Sequence, residues 1–238
     1  MALETIVVAA LAVWTSQSAP APAPPPSSAP AQPPAAEPSA PKFIELFDGK
    51  SLDGWERHGG AANFVVEDGC IVGRPIANER NSFLCTKRTF SDFVLEYDFK
   101  IDDGFNSGVQ IRSRVDGTGS KERVVGYQIE IDPSERAWSA GLYEEGLRGW
   151  LASLENKPDA RAAFRHNEWN HVRVEAIGAR IRTWINGVPA IDHTDSAASS
   201  GIIGLQVHSV GGEAKPVSVR WRDLRLEPRS AESPVRAR

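Results

Sequence analysis

Four segments of the chain carry hydrogen-bonding or charged side chains at every second position. They are Glu96, Asp98 and Lys100; Gln110 and Arg112; Gln128, Glu130 and Asp132; and Gln206 with His208. In an extended backbone, residues two apart face the same side, so each segment turns these groups onto one face. Amides, carboxylates and cations together suit a polyhydroxylated ligand, because each sugar hydroxyl both donates and accepts a hydrogen bond. The rival reading is a solvated sheet face with ordinary ion pairs, Asp98 with Arg112 foremost. Recurrence of such groups on successive segments favours a site.

Aromatic residues add a second, weaker signal. Trp138, Tyr143 and Trp150 lie in a Gly-containing stretch, 137–150, read as a loop. Their rings either stack on a sugar face or pack into the core. Trp169 and Trp221 sit in apolar alternation and read as core, whereas Trp55 fits either role. His58, His166, His171 and His193 have no metal-like spacing and read as surface or capping residues.

The elements that must position these groups are strands. Apolar residues alternate with polar ones through Phe93–Asp102, Val109–Arg112, Tyr127–Asp132, Val172–Glu175, Leu205–His208 and Val217–Arg222. Glu67-Asp68-Gly69 and Asn186-Gly187 are hairpin turn signals between apolar runs. Ten or more short strands with almost no helix predict an all-β fold, a two-sheet antiparallel β-sandwich of jelly-roll type. A parallel sheet would need crossover helices and continuous apolar runs. The one helical candidate, 147–164, is interrupted by Pro158.

The short link 102–107, with Gly104 and Asn106, suggests a hairpin that sets Lys100 opposite Gln110 and Asp98 opposite Arg112. The next link would bring Glu130 or Gln128 beside Gln110. Cys70 and Cys85 are the only cysteines and lie in short apolar runs, as on two neighbouring strands. They form a disulfide in an oxidising compartment or remain two buried thiols.

Of the 238 residues, 1–19 read as an export signal, an apolar run over 6–14 followed by small residues, although Glu4 stands where a cation is usual. Nine apolar residues are too few to span a bilayer, which takes about 20 in a helix. Residues 20–41 hold ten of seventeen prolines and read as an extended, disordered linker. Residues 42–228 form one domain, and 229–238 read as a disordered tail. The net charge of −4 is spread along the chain without a basic block, which argues against a nucleic-acid partner. The leader read over residues 1–19 implies export, to the periplasm or the exterior.

Taken in order, several blocks resemble the 3-keto-disaccharide hydrolase family. They are Phe47-Asp48-Gly49-Lys50-Ser51-Leu52-Asp53-Gly54-Trp55, Phe93-Val94-Leu95-Glu96-Tyr97-Asp98-Phe99-Lys100, Asn106-Ser107-Gly108-Val109-Gln110-Ile111-Arg112, Gly126-Tyr127-Gln128-Ile129-Glu130-Ile131, Glu168-Trp169-Asn170-His171, Asn186-Gly187 and Gly204-Leu205-Gln206-Val207-His208-Ser209. The resemblance covers about 43–227 and implies a concanavalin A-like lectin/glucanase jelly roll acting on glycosides oxidised at C3 of glucose. The C3 ketone acidifies the C2 hydrogen and places the C1 leaving group β to the carbonyl. Such chemistry needs a base at C2, donors or positive charge at the C3 oxygen and an acid for the leaving oxygen. The expected roles are Glu130 or His208 as base, Lys100 and Arg112 at the enolate oxygen, and Gln110, Gln128, Asn106 and Gln206 on the ring hydroxyls, with Asp98, Tyr143 and Trp150 also in contact with substrate. A divalent metal on Glu130, Asp132 or His208 is an alternative source of polarisation. The rival functions are a lectin-like binding module, and a glycosidase pairing Glu130 with Asp98 or Glu96.

Overall fold

A computed structural model of the chain describes residues 43–212 and 215–229. The expected signal at 1–19, the linker at 20–41 and the tail beyond Arg229 lie outside these residues. In chain order the strands are β1 (Ile44–Glu45), β2 (Trp55–Gly59), β3 (Asn63–Glu67), β4 (Cys70–Arg74), β5 (Ser82–Thr86), β6 (Phe93–Ile101), β7 (Ser107–Asp116), β8 (Arg123–Ile131), β9 (Leu142–Glu145), β10 (Gly149–Ala152), β11 (Asn170–Ile177), β12 (Arg180–Ile185), β13 (Val188–Thr194), β14 (Ile202–Val207) and β15 (Val219–Pro228). One sheet runs β13-β12-β11-β6-β15-β4-β3, with β1 added to β15; the other runs β10-β9-β8-β7-β14-β5-β2. All pairings are antiparallel. The two-sheet sandwich expected from the alternation is the fold of the protein.

The alternation builds the core directly. Phe93, Leu95, Tyr97, Phe99 and Ile101 from β6 face Val109 and Ile111 from β7 and Tyr127, Ile129 and Ile131 from β8, none more than 2% exposed. Two turns fall where the sequence marks them. Asp68 (φ 49°) and Gly69 (φ 74°) join β3 to β4, and Asn186 (φ 49°) and Gly187 (φ 82°) join β12 to β13. Positive φ at both central residues matches the twist of the flanking strands.

Four expectations are corrected. First, β6 and β7 are not a hairpin: β6 pairs with β11 and β15 in one sheet, β7 with β8 and β14 in the other. The short link has turn chemistry, with Asp102 accepting from Ser218 N at 2.7 Å and Ser218 Oγ at 2.9 Å, but it carries the chain across the sandwich rather than back along it. Lys100 therefore does not oppose Gln110, nor Asp98 Arg112. Second, Cys70 and Cys85 are not on neighbouring strands: β4 and β5 belong to different sheets, and of the two states left open both cysteines are buried free thiols. Third, the helical stretch reduces to one short helix, Pro158–Ala163, which Pro158 opens rather than breaks. Fourth, the aromatic stretch read as a loop contains β9 and β10, which extend the second sheet to its edge.

Candidate active site

The second sheet turns its outer, polar face into a pocket of about 210 Å³. Register assembles its floor. Gln110 on β7 lies directly opposite Gln128 on β8, and Gly108 opposite Glu130. On the far side of β8, Gln128 faces Tyr143 and Gly126 faces Glu145 of β9. On the near side, Gly108 faces Gln206 of β14. The expectation that Gln128 would sit beside Gln110 is met.

A directional chain of hydrogen bonds ends on Glu130. Ser113 Oγ donates to Gln110 Oε1 (2.8 Å), Gln110 Nε2 to Gln128 Oε1 (2.5 Å) and Gln128 Nε2 to Glu130 Oε2 (2.8 Å). Asn106 Nδ2 donates to the other carboxyl oxygen, Oε1, at 2.8 Å. Each amide is thereby fixed in one orientation. Glu130 is only 6% exposed, and burial pushes its pKa up even though the two amides favour the ionised form.

A second glutamate stands in the same pocket. Glu145 accepts from Asn81 Nδ2 and Gln206 Nε2, each at 3.3 Å, and burial likewise raises its pKa. His208 lines the pocket and its charge would act in the opposite direction on Glu145. His208 Nδ1 lies 2.9 Å from the carbonyl of Ser209, an acceptor, so Nδ1 carries the proton and Nε2 is the basic nitrogen.

Arg136, Tyr143 and Trp150 form the wall. Trp150 packs edge-on against both Trp138 (centroids 4.8 Å apart) and Tyr143 (5.4 Å), and the Arg136 guanidinium lies 4.7 Å from the Trp138 ring centre and 5.4 Å from that of Trp150. The three aromatic residues thus pack on one another and present Tyr143 and Trp150 to the cavity.

The remaining expected residues lie elsewhere or act differently. Asp98 and Lys100 lie on the outer face of the opposite sheet, as does Glu96, so neither Asp98 nor Glu96 can pair with Glu130. Arg112 sits at a register shift in β7 with φ 46°, which takes it out of the alternation. Its guanidinium is buried, donating to Ser91 O (2.7 Å), Gly178 O (2.6 Å) and Asp92 Oδ1 (2.8 Å), and it tethers the sheets rather than a ligand. Asp132 accepts from Ser134 N (3.1 Å) and Arg136 Nε (2.8 Å). Burial opposes its ionisation, but these bonds outweigh burial and hold its carboxyl below the usual range. Its part is to hold the Arg136 loop. Among the described residues no three His, Cys, Asp or Glu side chains converge as metal ligands, so Glu130, Asp132 and His208 do not form a ligand set here.

Two pocket residues, Glu145 and Arg136, are not legible in the sequence. Glu145 alternates with Tyr143 in a four-residue strand, a period-two signal too short to stand out. Arg136 lies in a loop and carries no periodic signal.

Residues 42–227 match the family of 3-keto-alpha-glucoside-1,2-lyase-like domains. The chain belongs to this family. Among curated proteins, levanase from Bacillus subtilis (strain 168) is 26% identical over 158 residues, 66% of this chain and 21% of its own length. A 3-keto-disaccharide hydrolase from Bacteroides thetaiotaomicron is 32% identical over 75 residues, 28% of this chain and 26% of its own length. The alignments thus span about a quarter or less of these relatives. Among solved structures, the carbohydrate binding module CBM66 from Bacillus subtilis superposes with a TM-score of 0.54 at 22% identity, covering 73% of this chain and 95% of the module. At that identity the likeness is one of fold. The polar pocket on the second sheet gathers Glu130 and Glu145, the two carboxyl groups that burial raises in pKa among the described residues.

Proposed function

We propose that this pocket binds a glycoside carrying a ketone at C3 of its glucose unit and cleaves it by elimination. The observation that carries the reading is Glu130: a buried carboxyl group, raised in pKa and held by two amides on the floor of a polar cavity, has the properties of a general base acting near neutral pH. Glu130 takes the C2 proton, and the C2–H electrons move into an enolate whose oxygen, at C3, meets the Arg136 guanidinium. The enolate then expels the C1 substituent, whose oxygen takes a proton from Glu145. Water adds to the resulting C1–C2 double bond, hydroxyl at C1 and proton at C2, if the unsaturated ketone is not released first. Gln206, which lines the pocket, has its Oε1 buried with no donor among the described residues, an acceptor left unpaired beside the cavity. Export, expected from residues 1–19, would bring the domain to glycosides outside the cytoplasm.

The test is to follow aglycone release from a glucoside and from its 3-keto form, with and without a chelator. Release only from the keto form is expected, and Glu130→Gln should lower it by about 10²–10⁴-fold while the circular dichroism spectrum is retained. Release from the unoxidised glucoside would mean that Glu130 and Glu145 act as a direct glycosidase pair. Binding of the keto form with no release would reduce the domain to a sugar-binding module. Loss of release with chelator would transfer the polarising role from Arg136 to a metal.

A further inference from the structure

The outer face of the eight-stranded sheet carries charges in rows that cross the strands. In one row Glu96 lies between Arg173, whose Nη1 donates at 2.6 Å, and Arg225, whose Nη2 donates at 2.7 Å. In the next, Asp98 lies between His171 Nδ1 (2.8 Å) and Arg222 Nη2 (3.2 Å). The third row breaks the pattern. The next outward residue of β6 is Lys100, and the register sets it directly opposite Arg220 of β15.

Like charges directly opposite one another destabilise an antiparallel pair. Among the described residues neither Lys100 nor Arg220 enters an ion pair; Arg220 Nη1 donates only to Ser218 Oγ, at 2.9 Å. Both are half-buried and line a cavity of about 440 Å³ walled by Trp169, Arg222 and Cys70. Of the acids on its rim, Glu67 is paired with Arg74; Asp102 is turned onto Ser218 N and Oγ and Asp68 lies in the turn between β3 and β4, so these two keep their charge without forming an ion pair with Lys100 or Arg220.

We infer that this cavity binds an oxyanion group, a sulfate or a sugar carboxylate, which supplies to the third row the negative charge that Glu96 and Asp98 supply to the other two. The guanidinium fork of Arg220 matches the oxygens of such a group and the Lys100 ammonium supplies a compact second charge. The half-buried setting weakens the competition from water. The site lies on the opposite face of the sandwich from Glu130, so its occupant is a second ligand rather than the substrate.

Titration calorimetry on the full chain decides the point, using sodium sulfate and sodium glucuronate against sodium chloride at matched ionic strength. Both anions should bind, Lys100→Ala with Arg220→Ala should weaken them by about tenfold or more, and Glu130→Gln should leave them unchanged. Tighter binding of glucuronate identifies an acidic sugar, and tighter binding of sulfate a sulfate ion or ester. Because both side chains face solvent, the double variant should fold, and its melting temperature without anion should be no lower than that of the parent. Failure of both anions to bind, or equal binding by the double variant, overturns the inference.

Discussion

Glu130 and Glu145 are raised in pKa by the same cause, burial, yet the proposed reaction asks opposite things of them. A base must be ionised, so turnover falls as pH drops through the raised pKa of Glu130. An acid must be protonated, so turnover falls as pH rises through the raised pKa of Glu145. The profile of kcat/KM should therefore be a bell whose acid limb lies above the ordinary carboxylate range; the two apparent values belong to the pair. Glu145→Gln should remove the alkaline limb and slow glycosides with poor leaving groups, while a nitrophenyl aglycone, which needs no proton, should be released at nearly the parental rate. An unchanged alkaline limb in Glu145→Gln would remove Glu145 from the mechanism. The same shifts bear on stability with the opposite emphasis. A carboxyl whose folded pKa is raised supports the fold while protonated, and that support is lost as pH rises through the folded value. The pocket thus retains two acids at some expense to the fold at neutral pH. Glu130 and its amides were legible in the sequence because they recur with the period of a strand; Glu145 was not, because its strand is short and a second acid, Glu144, adjoins it.

Strands deliver these groups, and the glycines between them make room. An added Cβ at Gly108 would lie 2.4 Å from Gln128 Cδ, inside any real contact. Gly108 lies opposite Glu130, so Gln128 crosses the space that a side chain would fill to reach the carboxylate. Gly108→Ala should displace Gln128, break its bond to Glu130 and cost about 1–3 kcal/mol of stability by overpacking. Release from the keto-glycoside should fall by about tenfold or more, since Glu130 loses one of its two fixed donors. A variant with full activity and an unchanged melting temperature would show that the floor tolerates a methyl group and does not depend on this packing. The alternation of β6, β7 and β8 told which side of each strand faces the core, but not which strands are neighbours. That is why the alternation alone sets Lys100 and Asp98 beside Gln110 and Arg112. Period two fixes faces; partners are fixed by where each link carries the chain, and the link after β6 crosses between sheets. Arg112 escaped the pattern for a related reason, since a single bulge moves one side chain out of register without altering the letters around it.

At the scale of the whole molecule, the sandwich separates two outer faces that the sequence presents as one polar set. One carries the pocket of Glu130, the other the ion-pair rows of Glu96 and Asp98. The cysteines obey the same division. Cys70 lines the cavity beside Arg220 on the outer face of the first sheet. Cys85 packs with Phe83 and Val124, and its Sγ approaches Gly204 beside Gln110, on the outer face of the second. Packed sheets stand about 10 Å apart, and a disulfide needs Cα atoms within about 7 Å, so side chains leaving opposite outer faces cannot meet. Burial also pushes the Cys85 thiol far up, which keeps little thiolate available for exchange. The folded protein should therefore keep both thiols under oxidising conditions. Unfolding in denaturant should reveal two titratable groups, and adding a reductant should leave the melting temperature unchanged. An intact mass lower by two hydrogens after air oxidation of the monomer, with a melting temperature that drops on reduction, would require Cys70 and Cys85 to share a face, and the separation of the two polar surfaces would fail with it.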